Sequence, residues 1–210
     1  MKYDIILAGV GGQGVLSLAT VIAAAAARAG LNVRQSEVHG MAQRGGSVLA
    51  HLRISDQPIH SDLVPRGRAQ LVLAMEPLEA LRYTDYLAPD GAVVSGVEAF
   101  RNIEPYPELG RILPSLRAIA RHRLINSAEL ARQAGHPKSA NLVLVGAASA
   151  FMPLDEVTIK ASIADIFGRK GAEMVALNQR AFDLGKTAPE ADAASLAAAE
   201  LNQAAAGVAS

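Results

Sequence analysis

The chain opens on a short apolar run, Tyr3 to Ala8, the pattern of a buried strand. Gly9-Val10-Gly11-Gly12-Gln13-Gly14 follows directly, and an Ala-rich apolar segment then runs from Val15 to Ala29 and stops at Gly30. Strand, glycine turn and helix in that order predict the start of a βαβ unit. The helix is apolar nearly all round, so cover is expected on both of its faces. Leu31 to Ser36 reads as a second strand. From Ser47 to Ser55 the pattern alternates, with Val48, Ala50, Leu52 and Ile54 on one side and Ser47, His51 and Arg53 on the other. That alternation predicts a half-buried strand, with Asp56-Gln57 turning the chain into a short edge strand at Pro58 to His60. On this reading His51 and His60 are incidental surface histidines, too few to make a metal site.

Further along, Ala69 to Met75 is strongly apolar and predicts a strand, and Pro77 suits the first turn of a helix reaching about Tyr86. Asp90-Gly91 reads as a turn before a short strand at Ala92 to Ser95. Glu98 to Gly110 is irregular, Pro114 to Arg121 is expected to be a short helix, and Arg123 to Asn126 the last strand. Four helices then follow: one opened by Ser127 and ended by Gly135, and three more at Asn141 to Ala150, Asp155 to Phe167 and Ala172 to Gly185. The expected fold is α/β: a three-layer αβα, Rossmann-like sandwich with a mainly parallel or mixed sheet and a helical C-terminal part. Residues 1–186 form the expected domain. Residues 187–210 are an Ala-rich tail with little to bury, expected to be mobile or to dock on a partner.

Composition narrows the classes. Of 210 residues, half are hydrophobic, which suits one sizeable core. Lys plus Arg and Asp plus Glu are 20 each, and no basic run is present, so nothing points to nucleic acid. Cysteine is absent, which excludes disulfides and iron–sulfur clusters held by this chain's own thiolates. No signal peptide and no membrane-length apolar run are visible, and a cytoplasmic location is expected.

Two stretches carry the candidate chemistry. In the first, Gly9, Gly11 and Gly14 fit G-x-G-x-x-G between a strand and a helix. Glycines permit a close approach of backbone to ligand, and the first amides of a helix point outward with the positive end of its dipole, which favours an anion. A tight turn without a ligand has the same sequence. Glu37 lies 23 residues after Gly14, close to where a dinucleotide fold places its ribose-binding acid. A free-standing dinucleotide-binding module, or an NAD(P)-dependent reductase, therefore stays open. The second stretch, Ser36-Glu37-Val38-His39-Gly40-Met41-Ala42-Gln43-Arg44-Gly45-Gly46-Ser47, mixes glycines with Glu37, His39, Gln43 and Arg44. Its glycines would let polar side chains converge, or it is a hydrated surface loop. No nucleophile elbow, Walker lysine or metal-binding helix motif occurs.

Taken together, GVGGQG at Gly9 to Gly14 and SEVHGMAQRGG at Ser36 to Gly46 resemble the gamma-type subunits of 2-oxoacid:ferredoxin oxidoreductases. Asn141 to Gly146 and Asn178 to Gly185 extend the resemblance, which covers about residues 1–186 and leans towards members acting on aryl pyruvates such as indolepyruvate. The resemblance implies oxidative decarboxylation of a 2-oxoacid to an acyl-CoA with thiamine diphosphate, the electrons passing through iron–sulfur clusters to ferredoxin. It places thiamine diphosphate and clusters on a larger alpha partner, so this chain would carry no cofactor alone and be inactive alone. It implies a rim in which Gly9, Gly11, Gly12, Gln13, Gly14, Gln43, Arg44, Gly45 and Gly46 meet a cofactor, coenzyme A being the one contacted. Candidate catalytic groups are Glu37, His39 and Arg44. The alternative is that both stretches only pack a subunit interface.

Overall fold

The computed structural model describes residues 1–37, 45–101 and 105–191. Six strands form one sheet: β1 (Lys2–Val10), β2 (Asn32–Glu37), β3 (Ser47–Ser55), β4 (Ala69–Ala74), β5 (Leu87–Gly96) and β6 (His122–Ile125). Their spatial order is β2-β3-β1-β4-β5-β6. β1, β4, β5 and β6 run parallel, whereas β3 lies antiparallel between β1 and β2. The sheet is therefore mixed.

Alternation along the strands builds two cores. Ile5, Leu7, Leu52, Leu71, Leu73 and Val94 face α1 (Val15–Arg28), α5 (Ala140–Ala148) and α7 (Ala172–Thr187). Ile6, Ala8, Val72, Ala74 and Val93 face α2 (Pro77–Arg82) and α3 (Leu109–Arg117) on the opposite side. The remaining helices, α4 (Ser127–Gln133) and α6 (Glu156–Phe167), complete the larger layer. α6 packs on α1, so the apolar first helix has neighbours on both sides, as its sequence requires. α5 and α7 approach so closely that a Cβ on Gly146 would lie 2.0 Å from the Phe182 carbonyl oxygen, and one on Gly185 1.8 Å from that of Val143.

Several elements differ from the sequence expectation. β3 is buried on both faces rather than one. Its polar side is covered because Arg53 makes a two-pronged ion pair with the buried Asp4 (2.9 and 3.2 Å) and donates to the carbonyls of Ser61 and Leu63. Those bonds draw the returning segment over β3, and Pro58 to His60 forms no strand. His51 is likewise a core residue. Its Nδ1 accepts from the Val64 amide (3.1 Å) and its ring meets Tyr86 edge-on at 5.6 Å. Burial, and then the Arg53 charge, lowers its pKa below the ordinary histidine value and favours the neutral acceptor. His60 is exposed.

Asp90-Gly91 sits within β5 at a register shift, not in a turn, and Gly91 is needed because a Cβ there would lie 2.8 Å from the Ala69 carbonyl oxygen. α3 begins at Leu109 and carries Pro114 inside it. The buried stripe Leu109, Ile112, Leu113 and Leu116 outweighs the proline's disruption. The start of the Ala-rich segment is also tied down. The Ala191 amide donates to the Leu124 carbonyl (2.8 Å), Glu190 accepts from the Leu124 amide (3.0 Å), and Arg123 reaches the Ala188 carbonyl (2.8 Å). This covers the otherwise open edge of β6. Residues 192–210 lie outside the described residues.

Two stability predictions follow from this packing. Gly185→Ala should force α5 and α7 apart and lower unfolding free energy by about 3 kcal/mol or more in a denaturant titration. Arg53→Ala should lower it by about 3 kcal/mol, because the buried Asp4 is left with only the solvent-exposed Lys2 ammonium, 3.2 Å away, as its ion-pair partner, and the Asp4→Ala/Arg53→Ala double variant should lose less than the sum of the single changes.

Candidate functional site

The parallel strands β1, β4, β5 and β6 end on one rim of the sheet, and β2, antiparallel to the intervening β3, ends there too. From β1 the chain leaves towards β2 on one side; from β4 it leaves towards β5 and β6 on the other. The point between β1 and β4 is thus a topological switch point, where open α/β sheets form a crevice at the carboxyl ends of their strands.

The glycine turn occupies this point. Gly12 and Gly14 have φ of 99° and 86°, the left-handed region that favours glycine. Gly9 needs its missing side chain for a different reason: a Cβ there would lie 2.6 Å from Val15 Cγ2 and 3.0 Å from Met75 Cβ, at the end of β4. Gln13 turns back, and its Oε1 accepts from the Val10 amide (2.7 Å). Its carbonyl oxygen is therefore spent inside the turn. Gly14 caps the start of α1, with the Asn141 amide nitrogen 3.3 Å from the position of its missing Cβ.

The second stretch comes to meet the first. The Gly11 amide donates to the Gly46 carbonyl (2.8 Å), and the Gly45 amide to the Gly11 carbonyl (3.4 Å). So Gly9, Gly11, Gly12, Gln13, Gly14, Gly45 and Gly46 share one patch of the rim. Gly12 is exposed and Gly11, Gln13 and Gly14 partly so. Glu37 ends β2, opposite Ala50 of β3, and its carboxylate receives the Gln35 side-chain amide at 3.4 Å. It is on the same rim but two strand spacings, about 10 Å, from β1. In a dinucleotide site the acid-bearing strand neighbours the glycine strand. Here β3 occupies that place, which removes the support Glu37 lent to a dinucleotide module. His39, Gln43 and Arg44 lie outside the described residues.

A polar network beside the bends was not foreseen. Glu76, fully buried, caps α2: its Oε1 accepts from the Glu79 amide (2.8 Å) and its Oε2 from the Leu78 amide (3.2 Å) and the Tyr106 hydroxyl (2.6 Å). The Glu79 carboxylate, also buried, accepts from the Ser47 hydroxyl and from Arg82 Nε (3.2 Å), and Tyr83 Oη lies 3.0 Å from Ser47 Oγ. Burial raises the pKa of Glu76 and also raises that of Tyr106, whose hydroxyl faces Glu76. Farther along, Glu98 accepts from the Ser127 hydroxyl (3.1 Å) and the Ala128 amide at the start of α4, and burial raises its pKa. The only sequence cue was Glu76-Pro77 at a strand end. Ser47 stands at the end of the second stretch with nothing in the sequence to mark this contact, and Tyr83 carries no motif.

This arrangement has the chemistry of a binding and positioning surface rather than of a self-contained catalytic centre. It offers backbone donors on glycines and buried carboxylates already engaged by the protein's own donors. Among the described residues no group of three His, Cys, Asp or Glu side chains is placed to hold a metal ion. No helix among them is long and apolar enough to cross a membrane.

Residues 4–188 match the family model for pyruvate ferredoxin/flavodoxin oxidoreductase. The chain is 38% identical over 191 residues to the indolepyruvate oxidoreductase subunit IorB of Methanothermobacter thermautotrophicus, covering 87% of this chain and 95% of that one. It is 39% identical over 197 residues to the IorB subunit of Archaeoglobus fulgidus, covering 88% and 94%. Among solved structures, a 2-oxoglutarate:ferredoxin oxidoreductase from Magnetococcus marinus, solved with 2-oxoglutarate, coenzyme A and succinyl-CoA bound, superposes with a TM-score of 0.71 at 27% identity. The match covers 91% of this chain and 32% of that one, so the chain spans about a third of that longer polypeptide. The gamma subunit of a keto/oxoacid ferredoxin oxidoreductase from Geobacter sulfurreducens shares the fold, with a TM-score of 0.64 at 23% identity over 88% and 96% of the two chains. The chain belongs to the pyruvate ferredoxin/flavodoxin oxidoreductase family, among its indolepyruvate oxidoreductase IorB subunits.

Proposed function

We propose that this chain is the subunit that completes the acyl-acceptor side of an indolepyruvate:ferredoxin oxidoreductase, and that it is inactive alone. The overall reaction converts an aryl pyruvate and coenzyme A to an aryl-acetyl-CoA, carbon dioxide, a proton and two electrons, which leave singly to ferredoxin. The chain's own residues do not fit thiamine diphosphate or iron–sulfur clusters. It has no cysteine, and the described carboxylates form no cluster suited to the divalent ion that a diphosphate needs. Those groups, and the redox steps they carry, belong to a larger alpha subunit.

What this chain contributes is a rim. The observation that carries the reading is the pair of hydrogen bonds joining Gly11 to Gly45 and Gly46, which makes one surface of two glycine bends at the switch point. The amides of Gly12, Gly14, Val15 and Leu16 form no backbone bond among the described residues, and they stand at the positive end of α1. They suit a phosphate or pyrophosphate of coenzyme A. Arg44 adds a charge-assisted bond to that phosphate or to the substrate carboxylate, and His39 a hydrogen bond or proton beside it. Glu37 stands at the far side of the same rim.

Two measurements test this. Aryl-pyruvate-dependent ferredoxin reduction should appear when the large chain and this chain are mixed with thiamine diphosphate and coenzyme A, and with neither alone; full turnover by the large chain on its own ends the proposal. In the assembled enzyme, Arg44→Ala should raise the apparent KM for coenzyme A ~10-fold or more. An unchanged KM takes Arg44 out of the coenzyme site and leaves the bends as interface packing.

A further inference from the structure

Two carboxylates are buried beside the glycine bends, Glu76 and Glu79, with side chains almost wholly shielded from water. Burying carboxylates is unfavourable, and a pair of packed apolar residues would serve stability as well. Their partners show what they hold. Glu76 fixes the first turn of α2 through the Leu78 and Glu79 amides, and is itself held by Tyr106. Glu79 is thereby set with its carboxylate facing the start of β3, where it accepts the hydroxyl of Ser47. Arg82 approaches the other carboxylate oxygen at 3.2 Å, and Tyr83 closes the far side of Ser47 at 3.0 Å. Ser47 directly follows Gly46, whose carbonyl receives the Gly11 amide. A continuous path of contacts therefore runs from Tyr106 through Glu76, Glu79 and Ser47 to the joined bends.

We propose that Glu79 is a positioning residue: through the Ser47 hydroxyl it holds Gly45 and Gly46 against Gly11 and so sets the acyl-acceptor affinity of the rim. Glu79 touches no ligand in this account. It acts through backbone placement, since Gly45 and Gly46 have no side chains by which to be held there. Arg82, 45% exposed at its side chain, neutralises the carboxylate from the solvent side. The inference rests on the reading that this rim meets coenzyme A.

The test uses the reconstituted complex of both chains. Glu79→Ala should raise the apparent KM for coenzyme A about 5-fold while kcat changes less than about 2-fold. Glu79→Gln, which keeps an acceptor for Ser47, should restore most of the loss. Ser47→Ala should reproduce the Glu79→Ala effect, and the double variant should show no further rise. Should Glu79→Ala fail to fold, Ser47→Ala, which removes only one oxygen, carries the test alone with Ser47→Thr as its rescue. A lowered melting temperature with an unchanged KM, or KM effects that multiply in the double variant, overturns the positioning role. Failure of the underlying reading looks different: the large chain alone would then turn over aryl pyruvate with the coenzyme A saturation of the full complex, or Arg44→Ala would leave the KM of the complex unchanged.

Discussion

The contact between the Gly11 amide and the Gly46 carbonyl is the constraint on which the rest of this molecule turns. It brings two stretches together that are 35 residues apart in the chain. It forms only because β3 runs back antiparallel beside β1, so that the last residue of β1, Val10, is paired with the first of β3, Ser47. Backbone meets backbone with no side chain between, which is why glycine stands on both sides. Gly9 is squeezed against Met75 and Val15, and Gly12 and Gly14 take the left-handed conformation. The glycines of the turn thus answer two demands, close packing at Gly9 and a left-handed backbone at Gly12 and Gly14.

Around that contact the protein places charge where a purely structural sheet would place hydrocarbon. Glu76 and Glu79 near the bends and the Asp4–Arg53 pair at the other end of the β1–β3 ladder are all deeply buried. The two sets do different work. Arg53 reaches the Ser61 and Leu63 carbonyls, so its pair pins a loop over the sheet and is explained by the fold. Glu76 and Glu79 point instead at the start of α2 and at Ser47, next to the joined bends, where we propose that they order the rim. The same physics, a buried anion that must be fully hydrogen-bonded, pins a loop at one end and joins α2 to the start of β3 at the other.

An antiparallel strand between β1 and β2 also separates this chain from the dinucleotide folds whose opening motif it carries. A glycine turn at the start of a helix is suited to an anion in either setting. What identifies a nicotinamide site is the neighbouring acid-bearing strand, and β3 displaces it. The family to which the chain belongs is one of ferredoxin-dependent oxidoreductase complexes, of which this chain is a subunit.

Much of this was legible along the chain. Apolar runs and alternation located all six strands to within a few residues at most of their ends, and the glycine turn and the second bend announced themselves by composition. The sequence by itself determined these local elements because they depend on neighbours in the chain: apolar periodicity, a proline at the first turn of α2, glycines where φ must be positive. It did not determine that β3 would be buried on both sides, that His51 would be a core residue, or that Asp90-Gly91 would lie inside a strand. Nor did it show that residues 188–191 would cover the edge of β6. Each of those turns on a distant partner: Asp4 for Arg53, Val64 and Tyr86 for His51, Ala69 for Gly91, Leu124 for Ala191. The Glu76–Glu79–Ser47 network is of the same kind, since three ordinary polar residues become a connected network only when strand order brings α2 beside the start of β3. Strand order was decided by the tertiary structure alone, because the free energy that selects it comes from burying faces against one another, and no local pattern records which faces those will be.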